Sequence, residues 1–197
     1  MTGKDAEIIN RYRKYVSNLN ERFILFCYSF WLFEAIEEKR APNVVGEGES
    51  DLNVRAFNNY KPFFTMSRHS LNYYFLSELA KLFDRDSQSL SFKKIINFCN
   101  ANRKVLNVLC PSTSLIELEI KKIQPDIDVL IGYRDKYLAH DDLKKKDFDI
   151  NRDGVLKVIS SSEKFFKTLG CTTDYLEIKE ESQNSLYKLT ELMRSSI

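Results

Sequence analysis

The sequence has few glycines and prolines, six and four among 197 residues. This scarcity, together with many Lys, Glu and Leu residues, argues against a turn-rich β sandwich, a collagen or a disordered chain. The charges nearly cancel at a net +2, so electrostatics alone do not indicate a nucleic-acid-binding protein. The length and the 43% hydrophobic content are typical of one domain, residues 1–197, with a sizeable buried core.

A long hydrophobic run is also missing. The first residues, MTGKDAEIINRYRKY, are charged where a secretory signal would be apolar. The most hydrophobic stretch, residues 23–33, has eleven residues, whereas a membrane-spanning helix needs about 20. We therefore expect a buried helical segment there, a cytoplasmic protein and no membrane partner.

The four cysteines are scattered and form no C-x-x-C pair. In a chain of this size without an export signal, they are expected to be buried thiols rather than disulfides. They are Cys27, Cys99, Cys110 and Cys171.

Apolar residues recur at helical spacing over most of the chain. The first such pattern predicts a helix from Asp5 to about Lys39, ended by Ala41 and Pro42. Residues 42–51 hold two glycines and three acidic residues, which predicts an exposed loop. A second long helix is expected from about residues 60–62 to Asp84, with Pro62 in its first turn.

Shorter signals divide the second half of the chain. Residues 114–117 have the S-x-x-E form of a capping box that would open a helix reaching Leu138. Gly170 is placed to end a later helix. The pattern as a whole predicts an all-α bundle of long antiparallel helices with extra terminal helices. The remaining predicted segments are a turn at 87–91, a helix through Ile95 and Phe98, an extended stretch at 172–178 and a last helix at 180–194.

Only two histidines are present. His69 lies within a predicted helix and has no metal-ligand spacing around it, so it is expected to be a packed or surface residue. His140 ends the segment YRDKYLAH and is followed by Asp141 and Asp142. These adjacent residues lack a second ligand cluster, and the chain has no glycine-rich phosphate loop, so we expect neither a metal nor a cofactor.

Arg134 and His140 are the candidate catalytic residues. A histidine with an unperturbed pKa of about 6.5 exchanges protons near neutral pH. The planar guanidinium of arginine matches two phosphate oxygens. Such a pair can cleave RNA without a metal, because the 2′-OH attacks its own phosphate while histidine moves protons and arginine offsets the developing charge. The products would be a 2′,3′-cyclic phosphate and a 5′-OH.

The segment from Arg134 to His140 resembles the motif of the HEPN superfamily, an Arg and a His separated by four to six residues near the end of a bundle helix. LSELAKLFD (residues 76–84) with the following Ser89-Leu90, and RDKYLAHDD, are similar to stretches of HEPN proteins in the abortive-infection group. The resemblance spans roughly residues 60–170. It implies a HEPN-like bundle and an endoribonuclease with its site at a dimer interface, acting in phage defence or as a toxin with an antitoxin partner.

Helix geometry also favours a homodimer. Six positions place Arg134 and His140 roughly 120° apart around an ideal helix and about 9 Å apart along it. Either the helix ends near Ala139 and His140 turns back, or the site combines residues of two chains. Acid and base catalysis favours two histidines, and a symmetric dimer would supply the second.

Residues beside the catalytic pair are expected to contact RNA. Asp135 stands where the HEPN motif often has Asn, and Tyr137 could stack on a base or pack against the bundle. The run of lysines from Lys144 could hold phosphates or be solvated. The candidate substrate-binding residues are Asp135, Lys136, Tyr137, Asp141, Lys144 and Lys145.

Three alternatives stay open. Arg134 could simply pair with Asp135 or Asp141 at a solvated helix end, with His140 interacting favourably with the helix dipole. The chain could be a non-catalytic HEPN module that binds RNA, a nucleotide or a partner protein. It could also be the toxin of a nucleotidyltransferase pair, in which a tyrosine two residues after the histidine is modified. Asp142 occupies that position here.

Overall fold

The computed structural model describes residues 3–86, 88–110, 113–135 and 151–195. Every regular element in these ranges is a helix, and they contain no strand, so the all-α prediction is confirmed. The helices are α1 (Gly3–Arg40), α2 (Pro42–Val45), α3 (Glu47–Asn59), α4 (Lys61–Leu82), α5 (Phe92–Ala101), α6 (Arg103–Leu106), α7 (Thr113–Tyr133), α8 (Arg152–Thr168) and α9 (Tyr175–Arg194).

The helices group into two compact units. The first unit comprises Met1–Phe23 and Leu76–Thr173, and the second comprises Ile24–Phe75 and Asp174–Ile197. Helices α1 and α4 each contribute to both units because they cross these boundaries. Whether residues 1–197 behave as one domain stays a prediction.

Aromatic side chains form the core of the first unit. The rings of Phe23 and Phe166 stack with their centroids 5.1 Å apart, and Phe92 meets Phe165 edge-on at 5.2 Å. Helix α7 packs against α8, and its buried residues include Ile127 and Leu130. This packing fixes the C-terminal half of α7, which carries the candidate motif at its end.

The second unit has its own aromatic core. Phe30 contacts Phe75 edge-on, and the rings of Phe57 and Phe64 lie 4.2 Å apart. Helix α3 packs against α9, and the guanidinium of Arg194 donates to the Glu49 carboxylate at 2.8 Å, so the start of α3 is tied to the end of α9.

The long helices confirm the sequence prediction closely. Helix α1 covers the predicted range, and residues 23–33 lie within it as a helical segment whose largest side chains are mostly buried. Helix α4 begins at Lys61 with Pro62 in its first turn, as expected, and ends at Leu82. His69 is exposed on α4, which agrees with a surface role. None of the described helices is long and apolar enough to cross a membrane.

The predicted loop at residues 42–51 is wrong, because these residues form α2 and the start of α3. Pro42 starts α2 at a position where its fixed φ suits a helix, and Gly46 separates the two helices with a φ of 87°. Helix α3 is held at the end of α1 by two side chains. Ser50 Oγ donates to the Arg40 carbonyl at 2.9 Å, and Asn53 Nδ2 donates to the Lys39 carbonyl at 3.0 Å.

Two helix starts also differ from the prediction. Helix α7 begins at Thr113, so Ser114 lies inside the first turn and is not the cap of a capping box. The Thr113 hydroxyl instead donates to the side-chain oxygen of Asn100 at 2.8 Å. Helix α9 begins at Tyr175 within the stretch predicted as extended, because the Asp174 carboxylate accepts hydrogen bonds from the first backbone N–H groups of the helix.

The prediction of buried thiols without disulfides is confirmed for three of the four cysteines, and the fourth is a free thiol that is only partly buried. Cys27, Cys99 and Cys110 are buried, Cys171 is half-buried, and all four are unpaired by disulfides. Tyr12 lies close to three of them, and its hydroxyl is 3.0 Å from the Leu169 carbonyl oxygen. Burial raises the pKa of Tyr12 far above its ordinary value, so this hydroxyl stays protonated as a structural donor.

Candidate active site

Helix α7 presents Arg134 at its C-terminal end. The helix buries one face in the first unit through Ile123, Ile127 and Leu130, and it ends at Tyr133. Arg134 and Asp135 continue the chain in a wider, π-helical turn.

Asp135 is the hydrogen-bonding partner of Arg134. The guanidinium Nε donates to Asp135 Oδ1 at 2.8 Å, and Nη2 pairs with the same carboxylate oxygen. The two side chains are 33% and 53% exposed. Pairs of this kind contribute about 0–1 kcal/mol, so the guanidinium can exchange Asp135 for another anion at little cost.

Arg134 lines an open cleft of about 360 Å³ in the first unit, here called the Arg134 cleft. The end of α4 and the residues after it form one side, and α7 forms the other. Asp128, Ile131 and Arg134 recur every three residues, which places them along one side of α7. The remaining lining residues are Ala80, Lys81, Phe83, Asp84 and Arg85.

Asp84 brings a fixed negative charge to the Arg134 cleft. Its carboxylate accepts a hydrogen bond from the backbone N–H of Asp86 at 2.9 Å and a second from the Ser89 hydroxyl. These bonds, with a smaller contribution from the Arg134 charge, hold the pKa of Asp84 below its ordinary value. Asp84 therefore organises the turn after α4 and remains ionised in the cleft at neutral pH.

Arg85 supplies a second guanidinium to the cleft. Its Nη2 donates to Asp128 Oδ1 at 3.0 Å, and Gln124 Nε2 donates to the same oxygen at 2.8 Å. The Arg85 side chain is 71% exposed and therefore accessible to a ligand. Arg85 and Asp128 were not predicted from the sequence. The one available signal was the three-residue spacing of Asp128, Ile131 and Arg134.

Of the predicted site residues, the structure places Arg134 and Asp135, and it brings them into contact. The contacts and positions predicted for the others stay predictions, including the relation between Arg134 and His140. Within the described part of the chain, no group of three or more His, Cys, Asp or Glu side chains could hold a metal ion. The predicted residues that lie outside the described ranges are Lys136, Tyr137, His140, Asp141, Lys144 and Lys145.

The all-α fold, with Arg134 directly after a helix that buries one face, agrees with the HEPN class that the sequence motif indicates. The HEPN family described as AbiU2 matches residues 9–171, and the chain belongs to this abortive-infection family. The match begins within α1, so it extends well before residue 60, where the resemblance in the sequence started. No curated protein and no solved structure matches the chain.

Proposed function

We propose that this protein is a metal-independent endoribonuclease of the HEPN type, acting in phage defence or as a toxin. The observation that supports this proposal is the position of Arg134. Its guanidinium lines an open cleft in the part of the chain that the family covers, and it pairs there with an exposed carboxylate that a phosphate can replace. An antitoxin partner and a cytoplasmic location belong to the same proposal.

The proposed reaction uses groups of the protein and the RNA alone. Arg134 binds two non-bridging oxygens of the scissile phosphate and offsets the charge that develops on them. An imidazole of His140 takes the proton of the 2′-OH as the bond from the 2′ oxygen to phosphorus forms. The bond from phosphorus to the 5′ oxygen breaks, and a second imidazole protonates the leaving oxygen. His140 of a second copy would supply that imidazole in a symmetric dimer.

One observation favours a second candidate function, that of a non-catalytic HEPN module. The structure contains the pair between Arg134 and Asp135 that the simpler interpretation of the motif expects. A carboxylate held on the motif arginine competes with phosphate. In this alternative the chain binds RNA, a nucleotide or a partner protein without cleaving RNA.

Cleavage of mixed RNA in the presence of EDTA separates the two functions. The proposal predicts fragments that end in a 2′,3′-cyclic phosphate and a 5′-OH, with an undiminished rate when divalent metals are chelated. Arg134→Ala should abolish this cleavage. Arg103→Ala is its matched control, because Arg103 is an exposed arginine of α6 in the same unit and lies outside the Arg134 cleft. Binding of RNA without cleavage by a folded protein would favour the non-catalytic module.

A further inference from the structure

A cationic pocket of about 250 Å³ lies in the second unit, here called the Arg40 pocket. Three of its nine lining residues are cations, and none is acidic. Arg40 is the last residue of α1, Lys61 is the first residue of α4, and Arg68 follows two turns later on α4. These three residues belong to no motif recognised in the sequence.

One carboxylate neutralises part of this charge from outside the lining. Glu37 Oε1 pairs with the guanidinium of Arg68 and lies 3.7 Å from Nη1 of Arg40. Within the residues that the structure describes, Lys61 has no ion-pair partner. The three cations and Glu37 together leave an excess of two positive charges around the pocket.

The pocket rests on apolar side chains. Phe57 and Phe64 are each about 5% exposed, and with Ile36 they form its inner wall. The guanidinium groups of Arg40 and Arg68 stand above this apolar wall with 41% and 37% of their side chains exposed, so an anion can reach them from solvent. The polar side chains of Asn58 and Thr65 also line the pocket and can donate hydrogen bonds to an oxygen-rich ligand.

The shape and charge of the pocket select among anions. Two guanidinium groups favour tetrahedral oxyanions over chloride, because each guanidinium can form two parallel hydrogen bonds. Pockets for drug-sized ligands are about 300 to 1,000 Å³, so the Arg40 pocket suits a smaller group. In the Arg134 cleft, by contrast, Asp84 and Asp128 line the wall alongside three cations.

We propose that the Arg40 pocket is a binding site for a phosphate monoester or pyrophosphate group. The group could belong to a free phosphorylated small molecule or to the terminal phosphate of an RNA, and the chemistry of recognition is the same for both. The proposal does not depend on catalysis at Arg134, because the two sites are lined by different residues in different units.

Calorimetric titration of the full chain with inorganic pyrophosphate and with AMP tests the site directly. We expect saturable binding of pyrophosphate, weakened about tenfold by Lys61→Gln, because a hydrogen bond to a charged group is lost. Arg55→Gln is the matched control, because Arg55 is an exposed arginine of α3 in the same unit and does not line the pocket. Its affinity should stay within about twofold of that of the unsubstituted chain.

Weaker pyrophosphate binding by Lys61→Gln would also result from unfolding, so a second variant is chosen that should bind pyrophosphate more tightly. Glu37→Gln removes the carboxylate that competes for Arg40 and Arg68, so pyrophosphate should bind about two to five times more tightly. Circular dichroism of each variant checks that the helices are retained. Absence of saturable binding to the unsubstituted chain, or equal affinities in Lys61→Gln and Arg55→Gln, would overturn the proposal.

The two sources of the phosphate group are separated with RNA. Fluorescence anisotropy of 5′-phosphorylated and 5′-hydroxyl forms of one short RNA is measured with the His140→Ala chain, and gel electrophoresis checks that the RNA stays intact. A preference for the phosphorylated RNA that Lys61→Gln abolishes supports an RNA terminus as the ligand. Saturable binding of AMP or pyrophosphate without that preference supports a free small molecule.

Discussion

Asp135 competes with an incoming anion for the motif arginine. Its carboxylate takes hydrogen bonds from both Nε and Nη2 of Arg134, and both side chains are open to solvent. An asparagine at this position would keep a hydrogen-bond acceptor and remove the negative charge. The identity of this residue therefore sets the competition between the protein's own carboxylate and a phosphate for one guanidinium.

Asp135→Asn is expected to tighten RNA binding about two- to fivefold at low salt, because phosphate no longer displaces an anion from Arg134. Fluorescence anisotropy in a His140→Ala background measures this change, and gel electrophoresis checks that the RNA stays intact. Weaker binding would instead show that the Asp135 carboxylate itself assists RNA binding, as the sequence analysis expected of this residue.

Only some of the site residues could be predicted from the sequence. Arg134 and Asp135 belong to a short local motif, so their proximity follows from their adjacency in the chain. Arg85 and Asp128 are 43 positions apart, and their ion pair depends on how the end of α4 lies against α7. No local spacing encodes that arrangement, which is why the second guanidinium of the cleft was missed.

Among the helices, the end of α8 requires a particular backbone conformation. Helix α8 ends in a Schellman motif, in which the Cys171 N–H bonds to the Phe166 carbonyl at 2.9 Å and the Gly170 N–H bonds to the Lys167 carbonyl at 3.1 Å. Gly170 has a φ of 87°, a conformation that residues with a Cβ rarely adopt. The prediction that this glycine follows the end of a helix is confirmed.

Gly170→Ala should lower the free energy of unfolding by about 1 kcal/mol. The cost comes from the backbone alone, since an added Cβ would meet nothing within 4 Å. Gly132→Ala is the control, because this glycine lies inside α7 with open space around it. Its free energy of unfolding should rise by up to about 1 kcal/mol, because alanine has the higher helix propensity. Urea denaturation measures both changes, and a Gly170→Ala chain as stable as the unsubstituted one would contradict this account.

The tie between α3 and α9 should depend on pH. A hydrogen bond from Arg194 lowers the pKa of Glu49 below its ordinary 4.5, so the folded state favours the ionised carboxylate. The contribution is therefore fully present above pH 4.5 and is lost as the pH falls through the lowered pKa. The difference in Tm between the unsubstituted chain and Glu49→Gln should be constant from pH 8 to about pH 5.5 and should shrink toward pH 3. A difference that persists unchanged at pH 3 would contradict this assignment.

The elements were predictable in proportion to their length and burial. Helices α1 and α4 present long apolar patterns, and their bounds were close to those observed. Helix α2 has no buried residue, and α3 starts with mostly exposed side chains, so neither produces a core-facing pattern in residues 42–51. Ser50 and Asn53 stabilise this region through bonds to carbonyls of α1, which only the folded chain reveals.

The whole molecule is a helical member of the AbiU2 family and has one motif arginine per chain. The catalytic step as proposed requires more than one chain. Each chain offers one histidine in the motif, and the proposed acid and base are two. The first unit holds the Arg134 cleft and the second holds the Arg40 pocket, so the two proposed phosphate sites lie in separate compact units.

A shared site predicts that inactive chains suppress active ones. When the unsubstituted chain is refolded with a tenfold excess of the Arg134→Ala/His140→Ala chain, only about a tenth of the active chains pair with each other. The cleavage rate should therefore be about a tenth of the rate measured in a control, in which the same mass of an inert protein replaces the double variant. An unchanged rate would show that each chain cleaves RNA alone.

The most direct test of the central claim compares RNA cleavage by purified Arg134→Ala and His140→Ala chains with cleavage by the unsubstituted protein and by Arg103→Ala. Both motif variants should lose activity while keeping their helical content and oligomeric state, and Arg103→Ala should remain active. Full activity in the Arg134→Ala/His140→Ala double variant would contradict the assignment of catalysis to this pair.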